Sequence, residues 1–181
     1  MLHLKSITAG NPKTAEQYQL TKQYDVTWLF SEDGKNWYEE QKNFASDTIK
    51  MVYTGDGRMV WVGKDVTGIE PRNASVIEVP DITANRRITV PGYWFYRDDK
   101  FVFDYKLKAE DERDALLQRV SIMTSEWEKD LLLGLISDED REKLKAYRIY
   151  AKSLQAMDFS TITDKSSYNA IEWPVSPEAS S

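Results

Sequence analysis

The sequence predicts an α+β fold in which an antiparallel, hairpin-rich β domain precedes a coiled-coil-like helical hairpin. Two observations carry this. Before residue 106 the chain alternates apolar and polar side chains in short runs broken by Gly/Asp turns, the two-residue period of half-buried strands. Over residues 109–158 the apolar side chains recur every three or four positions, the period of a helix buried along one face. The 181 residues allow one compact domain, or one domain plus a helical appendage. The expected division is a β-rich domain over 1–105, an antiparallel helical hairpin over 106–158 and an irregular tail over 159–181.

The β elements follow in order. Tyr24, Val26, Trp28 and Phe30 alternate with Gln23, Asp25, Thr27 and Leu29 and predict a strand. Ser31-Glu32-Asp33-Gly34-Lys35 is turn chemistry, because Gly accepts positive φ and Asp bonds its own backbone. Asn36-Trp37-Tyr38 then opens a return strand. Ile49, Met51 and Tyr53 alternate up to Thr54-Gly55-Asp56-Gly57, and Met59–Val62 runs back as a hairpin. Ser75–Val79 reads as a short strand and Asp81–Arg87 as a loop. Tyr93–Tyr96 pairs with Phe101–Phe103 across Arg97–Lys100.

Leu116, Val120, Met123, Trp127 and Leu131 then fall on one helical face, with Glu110, Asp111 and Glu112 near the positive end of that helix. Gly134 is the expected stop. Ser137 caps a second helix whose first turn holds Asp138, Glu139 and Asp140. Leu144, Tyr147, Ala151 and Leu154 give that helix a seam, and the short connection makes the pair antiparallel. The chain after Asp158 reads as polar and irregular.

Composition narrows the function classes. With no cysteine, disulfides, thiolate nucleophiles and Cys-based metal centres are excluded. A single histidine, His3, argues against a His-dependent triad or a multi-histidine metal site. The net charge of −6 argues against general phosphate-backbone binding, and Arg86-Arg87 is too small a basic footprint for nucleic acid. No apolar run approaches the roughly 18 residues of a membrane span, and MLHLKSITAG lacks the apolar region of a secretory signal. Asn73-Ala74-Ser75 therefore matches the glycosylation pattern by chance. Gly55-Asp56-Gly57 lacks the Gly-Lys-Ser/Thr of a nucleotide loop and precedes a strand, so it reads as a hairpin turn. Asp98-Asp99 in a turn and Asp138-Glu139-Asp140 at a helix start occupy ordinary solvated positions, and neither these nor Glu39-Glu40 match an EF-hand spacing. We expect no enzyme, no cofactor and no metal. What stands out is the aromatic content, 12% of the chain, most of it before residue 106. Such side chains serve as core, as interface anchors or as sugar-stacking platforms.

Several segments carry a resemblance. Asn11–Phe44 (NPKTAEQYQLTKQYDVTWLFSEDGKNWYEEQKNF), Val76–Arg87 (VIEVPDITANRR) and Gly92–Val102 (GYWFYRDDKFV) are similar to successive signatures of the phage tail fibre assembly proteins, the Tfa chaperones of the Mu type. Ile136–Asp158 followed by Ala170–Pro177 (AIEWPVSP) resembles the same family's C-terminal pattern. The sequence departs from it at Ala146, where a Trp is common, and in the longer link Phe159–Asn169. The resemblance implies an ATP-independent chaperone that helps a tail fibre fold and trimerise, acting on the fibre's distal, C-terminal region. It implies action in the bacterial host cytoplasm during assembly, with residence at the fibre tip in some members. Fibre-binding residues expected on the β domain are Trp28, Phe30, Trp37, Tyr38 and Trp61, rimmed by Lys22, Glu32, Asp33 and Lys35. The helical seam, serving the hairpin and then self-association into a homo-oligomer, is Leu116, Val120, Met123, Trp127, Leu144, Tyr147 and Leu154. The rival reading is a tail-tip adhesin that stacks exposed aromatics on host surface glycan.

Overall fold

A computed structural model describes residues 1–180, with side chains through residue 178. Strands β1 (His3–Gly10), β2 (Trp28–Phe30), β3 (Thr48–Thr54), β4 (Met59–Gly63) and β5 (Ala74–Pro80) form one antiparallel sheet in the order β2-β1-β5-β3-β4. A separate hairpin pairs β6 (Trp94–Arg97) with β7 (Lys100–Phe103). Together these strands and their connections make up one unit, Met1–Phe103; a second unit spans Asp104–Ser181.

The first unit buries both faces of its sheet. Leu4, Ile7, Leu29, Val52 and Val76 point to one side, where Trp37, Val66, Phe44 and Ile69 cover them. Ile49, Met51, Ile77 and Val79 point to the other, under Ile88, Val90, Trp94, Tyr96 and Phe101. The strand period of two explains the split, since Val76 and Ile77 are neighbours on opposite faces. β1 obeys it only by a bulge. Leu4 and Ile7 are three apart yet share a face because the register slips between them and Ser6 takes φ 47°. On the same face Lys50 and Glu78 are paired across β3 and β5 and almost fully buried. Burial pushes the Glu78 carboxyl up, but hydrogen bonds donated by Thr48 Oγ1 and the amides of Leu2 and Ala45 outweigh it, so the group stays below its ordinary value. Lys50 Nζ donates to the Ala45 and Thr48 carbonyls.

Two of the three predicted hairpins close as expected. Gly57 turns the first at φ 89°, and its carbonyl accepts from Tyr96 N at 2.7 Å. A Cβ there would lie 2.4 Å from the Tyr96 carbonyl oxygen, so no other residue fits this approach. Asp98 and Asp99 turn β6 into β7 with φ of 50° and 56°.

Several expectations need correction. The strand expected over 23–30 is only β2, because Ala15–Tyr24 forms a helix, α1, that Asp25 ends in the left-handed conformation. Asn36–Tyr38 does not return as a strand. Asn36 makes a single bridge to Phe30, then caps α2 (Trp37–Glu40) by accepting from Tyr38 N. The expected loop Asp81–Arg87 contains a helical turn, α3 (Thr83–Arg86), and Arg86 bonds Asp81 at 2.6 Å. Lys64 joins that pair, and the two cations hold the Asp81 carboxyl down at about 2. β1 and α1 had no counterpart in the sequence reading.

In the second unit α4 (Tyr105–Leu133) and α5 (Asp138–Gln155) form the helical hairpin. α4 begins earlier than expected, with Asp104 accepting from Leu107 N, so Glu110–Glu112 lie in its second turn rather than at its start. Gly134 ends it at φ 71°, and Ser137 caps α5. The seam is intramolecular: Val120, Tyr147, Tyr150 and Leu154 are buried together, with Leu116, Met123, Trp127, Ala151 and Trp173 against them. Leu144 is also buried, whereas Leu131, placed on the seam by its spacing, is half exposed. The tail is not irregular throughout. Asp164 and Ser167 form a capping box on α6 (Lys165–Asn169). Its Tyr168 hydroxyl donates to Glu112 at 2.5 Å and accepts from Lys108, binding the tail to α4. Phe159 is buried beside Trp173, ring centroids 5.7 Å apart.

Candidate interaction surface

The richest exposed aromatic surface of the first unit is built where α1, β2 and α2 meet. Thr14 caps α1 by accepting from Gln17 N at 3.1 Å. Gln17 is buried and links both helices, its Oε1 accepting from Lys13 N and its Nε2 donating to Glu39. Trp28 Nε1 donates to Thr21 Oγ1 at 2.8 Å and to the Gln17 carbonyl at 3.2 Å, which pins β2 beneath the helix. Tyr38 stands edge-on to Trp28 with centroids 5.9 Å apart, and its hydroxyl donates to the Thr27 carbonyl. The ring remains 40% exposed. α1 adds Tyr18 and Tyr24, 53% and 65% exposed, with Lys22 Nζ 5.0 Å from the Tyr18 ring centre. Burial pushes the Tyr38 phenol above its ordinary value, with Glu70 adding to the rise and Arg72 opposing it.

The adjoining turn supplies the charges. Asp33 and Lys35 pair at 3.0 Å, and Ser31 Oγ donates to Asp33 Oδ1. The Ser31 and Lys35 bonds hold the Asp33 carboxyl below its ordinary range. Lys13 Nζ donates to the Gly34 carbonyl and lies 4.0 Å over the Phe30 ring.

Of the expected fibre-binding residues, Lys22, Glu32, Asp33, Lys35 and Tyr38 are exposed. Trp28 and Phe30 are interior, because all three residues of β2 are buried between α1, the 31–35 turn and β1. Trp37 is fully buried against Phe44, and its indole N–H has no hydrogen-bond partner among the described residues. Their expected place at the surface is therefore corrected to the core. Trp61 is partly buried on the same cluster. Tyr18 was not among the expected binding residues, and Tyr24 was expected in a strand with Trp28 because the two-residue period over 23–30 overlaps the end of α1. Six of the seven expected seam residues pack in one cluster, and the seventh, Leu144, is buried outside it. A second apolar surface also escaped it: Leu132, Leu133 and Leu135 stand exposed at the turn between α4 and α5. The run Leu131-Leu132-Leu133-Gly134-Leu135 is its signal, too apolar for one seam.

Among the described residues no group of three or more His, Asp or Glu side chains could hold a metal ion, and no helix is long and apolar enough to cross a membrane. The arrangement offers aromatic and apolar contact surface with a charged rim, suited to binding a macromolecule.

The model of the family described as Caudovirales tail fibre assembly protein, lambda gpK, matches residues 39–178. Tail fiber assembly protein U' of Escherichia phage Mu is 50% identical over 168 residues, which cover 90% of this chain and 95% of that protein. The U' protein of Escherichia phage P1 is 48% identical over the same shares of each chain. Tail fiber assembly protein U of Escherichia phage Mu is 41% identical over 98% of this chain and all of its own length. With the match running from α2 through the tail, this chain belongs to the Caudovirales tail fibre assembly protein family.

Proposed function

We propose that this chain assists assembly of a phage tail fibre, as an ATP-independent chaperone that holds the fibre's distal, C-terminal region while its chains fold and trimerise. The observation that carries the reading is relatives named tail fiber assembly proteins, 41–50% identical and matched over nearly their whole length. Physical chemistry supports it. Trimeric β fibres pair strands between chains, and such non-local pairings form slowly and leave adhesive edges exposed. A holder for them needs preformed aromatic surface. Tyr18, Tyr24 and Tyr38 supply it, with Lys22, Glu32, Asp33 and Lys35 as the rim, and the buried Trp28 and Phe30 set the position of that corner from below. The same phenol faces suit stacking on a sugar ring, so contact with host glycan at the fibre tip is the second role we assign to them.

The test is co-expression of this chain with the C-terminal part of its fibre, scored for soluble, SDS-resistant trimers and for co-purification. Trimers that need this chain are the expected result, and co-purification adds that it stays bound. Equal trimer yield without it overturns the chaperone reading for that fibre. A glycan array on the full chain tests the second role, for which saturable binding is expected.

A further inference from the structure

Gln17 and Asn36 are each only 5% exposed, although both carry amides that water would satisfy. Burying such a group is costly unless its hydrogen bonds are made. Here they are made, and they tie one element to the next. Gln17 Oε1 accepts from Lys13 N at 2.7 Å, and its Nε2 donates to Glu39 Oε1 at 3.0 Å. Asn36 Nδ2 donates to the same Glu39 oxygen at 3.2 Å, while Asn36 Oδ1 accepts from Tyr38 N at 2.9 Å. Glu39, itself exposed, thus takes one amide from α1 and one from the cap of α2. The Gln17 backbone completes the frame, since its carbonyl accepts from Thr21 Oγ1 at 2.9 Å and from Trp28 Nε1 at 3.2 Å. Trp28 in turn holds the Tyr38 ring edge-on.

An apolar side chain at position 17 would fill the same space without the desolvation cost, so stability by itself does not ask for an amide there. What a satisfied polar network adds is direction, because the bonds hold only where donor meets acceptor. Beside Gln17, α1 turns Tyr18 outward, and between Asn36 and Glu39, α2 turns Tyr38 outward. We propose that Gln17 is a positioning residue for fibre capture: through Glu39 and Asn36 it fixes where α2 meets α1, and so where Tyr38 stands relative to Tyr18. Being buried, it touches no partner itself. The inference rests on the assignment of this corner to fibre binding and adds which interior group sets its geometry. The pair has one polarity, amide on α1 and carboxylate on α2, since an ionised Glu39 can only accept. Exchanging the two groups keeps a bond with that polarity reversed. A carboxylate on both sides instead sets like charges within hydrogen-bond distance and breaks the tie.

The test takes the full chain and the C-terminal part of its fibre, with affinity measured by calorimetry and circular dichroism to confirm that each variant is folded. Gln17→Glu should weaken capture by about 10-fold in a folded chain, the size expected for one coupling within a hydrogen-bond network. Glu39→Gln alone should change capture little, because an amide oxygen accepts from Gln17 as the carboxylate does. The double variant should return to within about twofold of wild type. The Trp28 indole N–H resonance should move in Gln17→Glu and return in the double variant, a readout that needs no fibre. If Gln17→Glu does not fold, Gln17→Met removes both side-chain bonds without adding charge. It should weaken capture to a similar extent and gain nothing from Glu39→Gln. A folded Gln17 variant that captures fibre as wild type does, or a Gln17→Glu defect that Glu39→Gln leaves unrepaired, overturns the proposal. If the wild-type chain captures no fibre, the chaperone reading is what fails, and a Trp28 signal unmoved by Gln17→Glu separately overturns the positioning role.

Discussion

The two units spend their large side chains in opposite ways. The β unit hides Trp28, Phe30 and Trp37 and presents tyrosines, whereas the helical unit buries one seam and leaves leucines at its tip. The reason is geometric. A sheet has two faces, and each here must be covered by a thin layer drawn from loops, short helices and a hairpin, so Trp28, Phe30 and Trp37 are drawn inward although they stand near turns. A helical hairpin has one seam and two flanks. The tail packs along part of one flank, and among the described residues nothing covers the tip beyond it. Aromatic residues beside a turn are therefore poor markers of exposed surface in the first unit, while a leucine run at a helix end is a good one in the second.

The largest test of that contrast is Trp37→Ala. A core position predicts a loss of about 3–5 kcal/mol in urea unfolding, whereas a surface anchor would leave stability intact and weaken only fibre capture. Next comes the triple change of Tyr18, Tyr24 and Tyr38 to Ala. It should leave the circular dichroism spectrum unchanged and weaken fibre capture by about 2 kcal/mol, roughly 30-fold; unchanged capture would move the surface elsewhere on the unit. Gly134→Ala probes the tip from within. Among the described residues no atom beyond the adjoining backbone lies within 4 Å of the added methyl, so the cost of about 1 kcal/mol comes from the left-handed φ alone and is read as a lower thermal midpoint.

The smallest effect belongs to His3. Burial holds its imidazole below the usual range, with Lys5 adding to the shift and Asp99 and Glu32 opposing it; Tyr53 bonds the ring at 2.7 Å. The folded state thus takes the proton less readily than the unfolded chain. Its contribution to stability is complete above the unfolded value of about 6.5 and is lost as pH falls through the folded value. Unfolding midpoints should drop as pH falls below about 6.5, and His3→Gln should flatten that slope. As the chain's only histidine, its ring signals report the titration directly.

Much of this was legible beforehand, for local reasons. The two hairpins could be read because Gly57 and the Asp98-Asp99 pair carry backbone conformations that few residues adopt. Ser137 and Gly134 marked helix ends for the same kind of reason. The misreadings share a cause too. Residues 23–30 satisfy a two-residue period, but Thr14 and Asp25 close a helix over the first part, and nothing in the alternation itself chooses between them. β1 was missed because its two inward residues are three apart, a spacing that only the bulge at Ser6 reconciles with a strand. For the candidate site, Tyr38 and the rim charges were legible from the turn, while Tyr18 and Tyr24 depended on recognising α1.

By itself, the sequence determined the fold class, the turns and caps, the helical seam and family membership. Each rests on residue types whose backbone preference or spacing acts over a few positions, or on segments held in a recognisable order. Tertiary structure alone decided which side of each element faces inward, because burial depends on what arrives from elsewhere in the chain. Trp37 is core since β1, β3 and β5 converge beneath it, and Leu132 is surface since no described segment of the chain arrives to cover it.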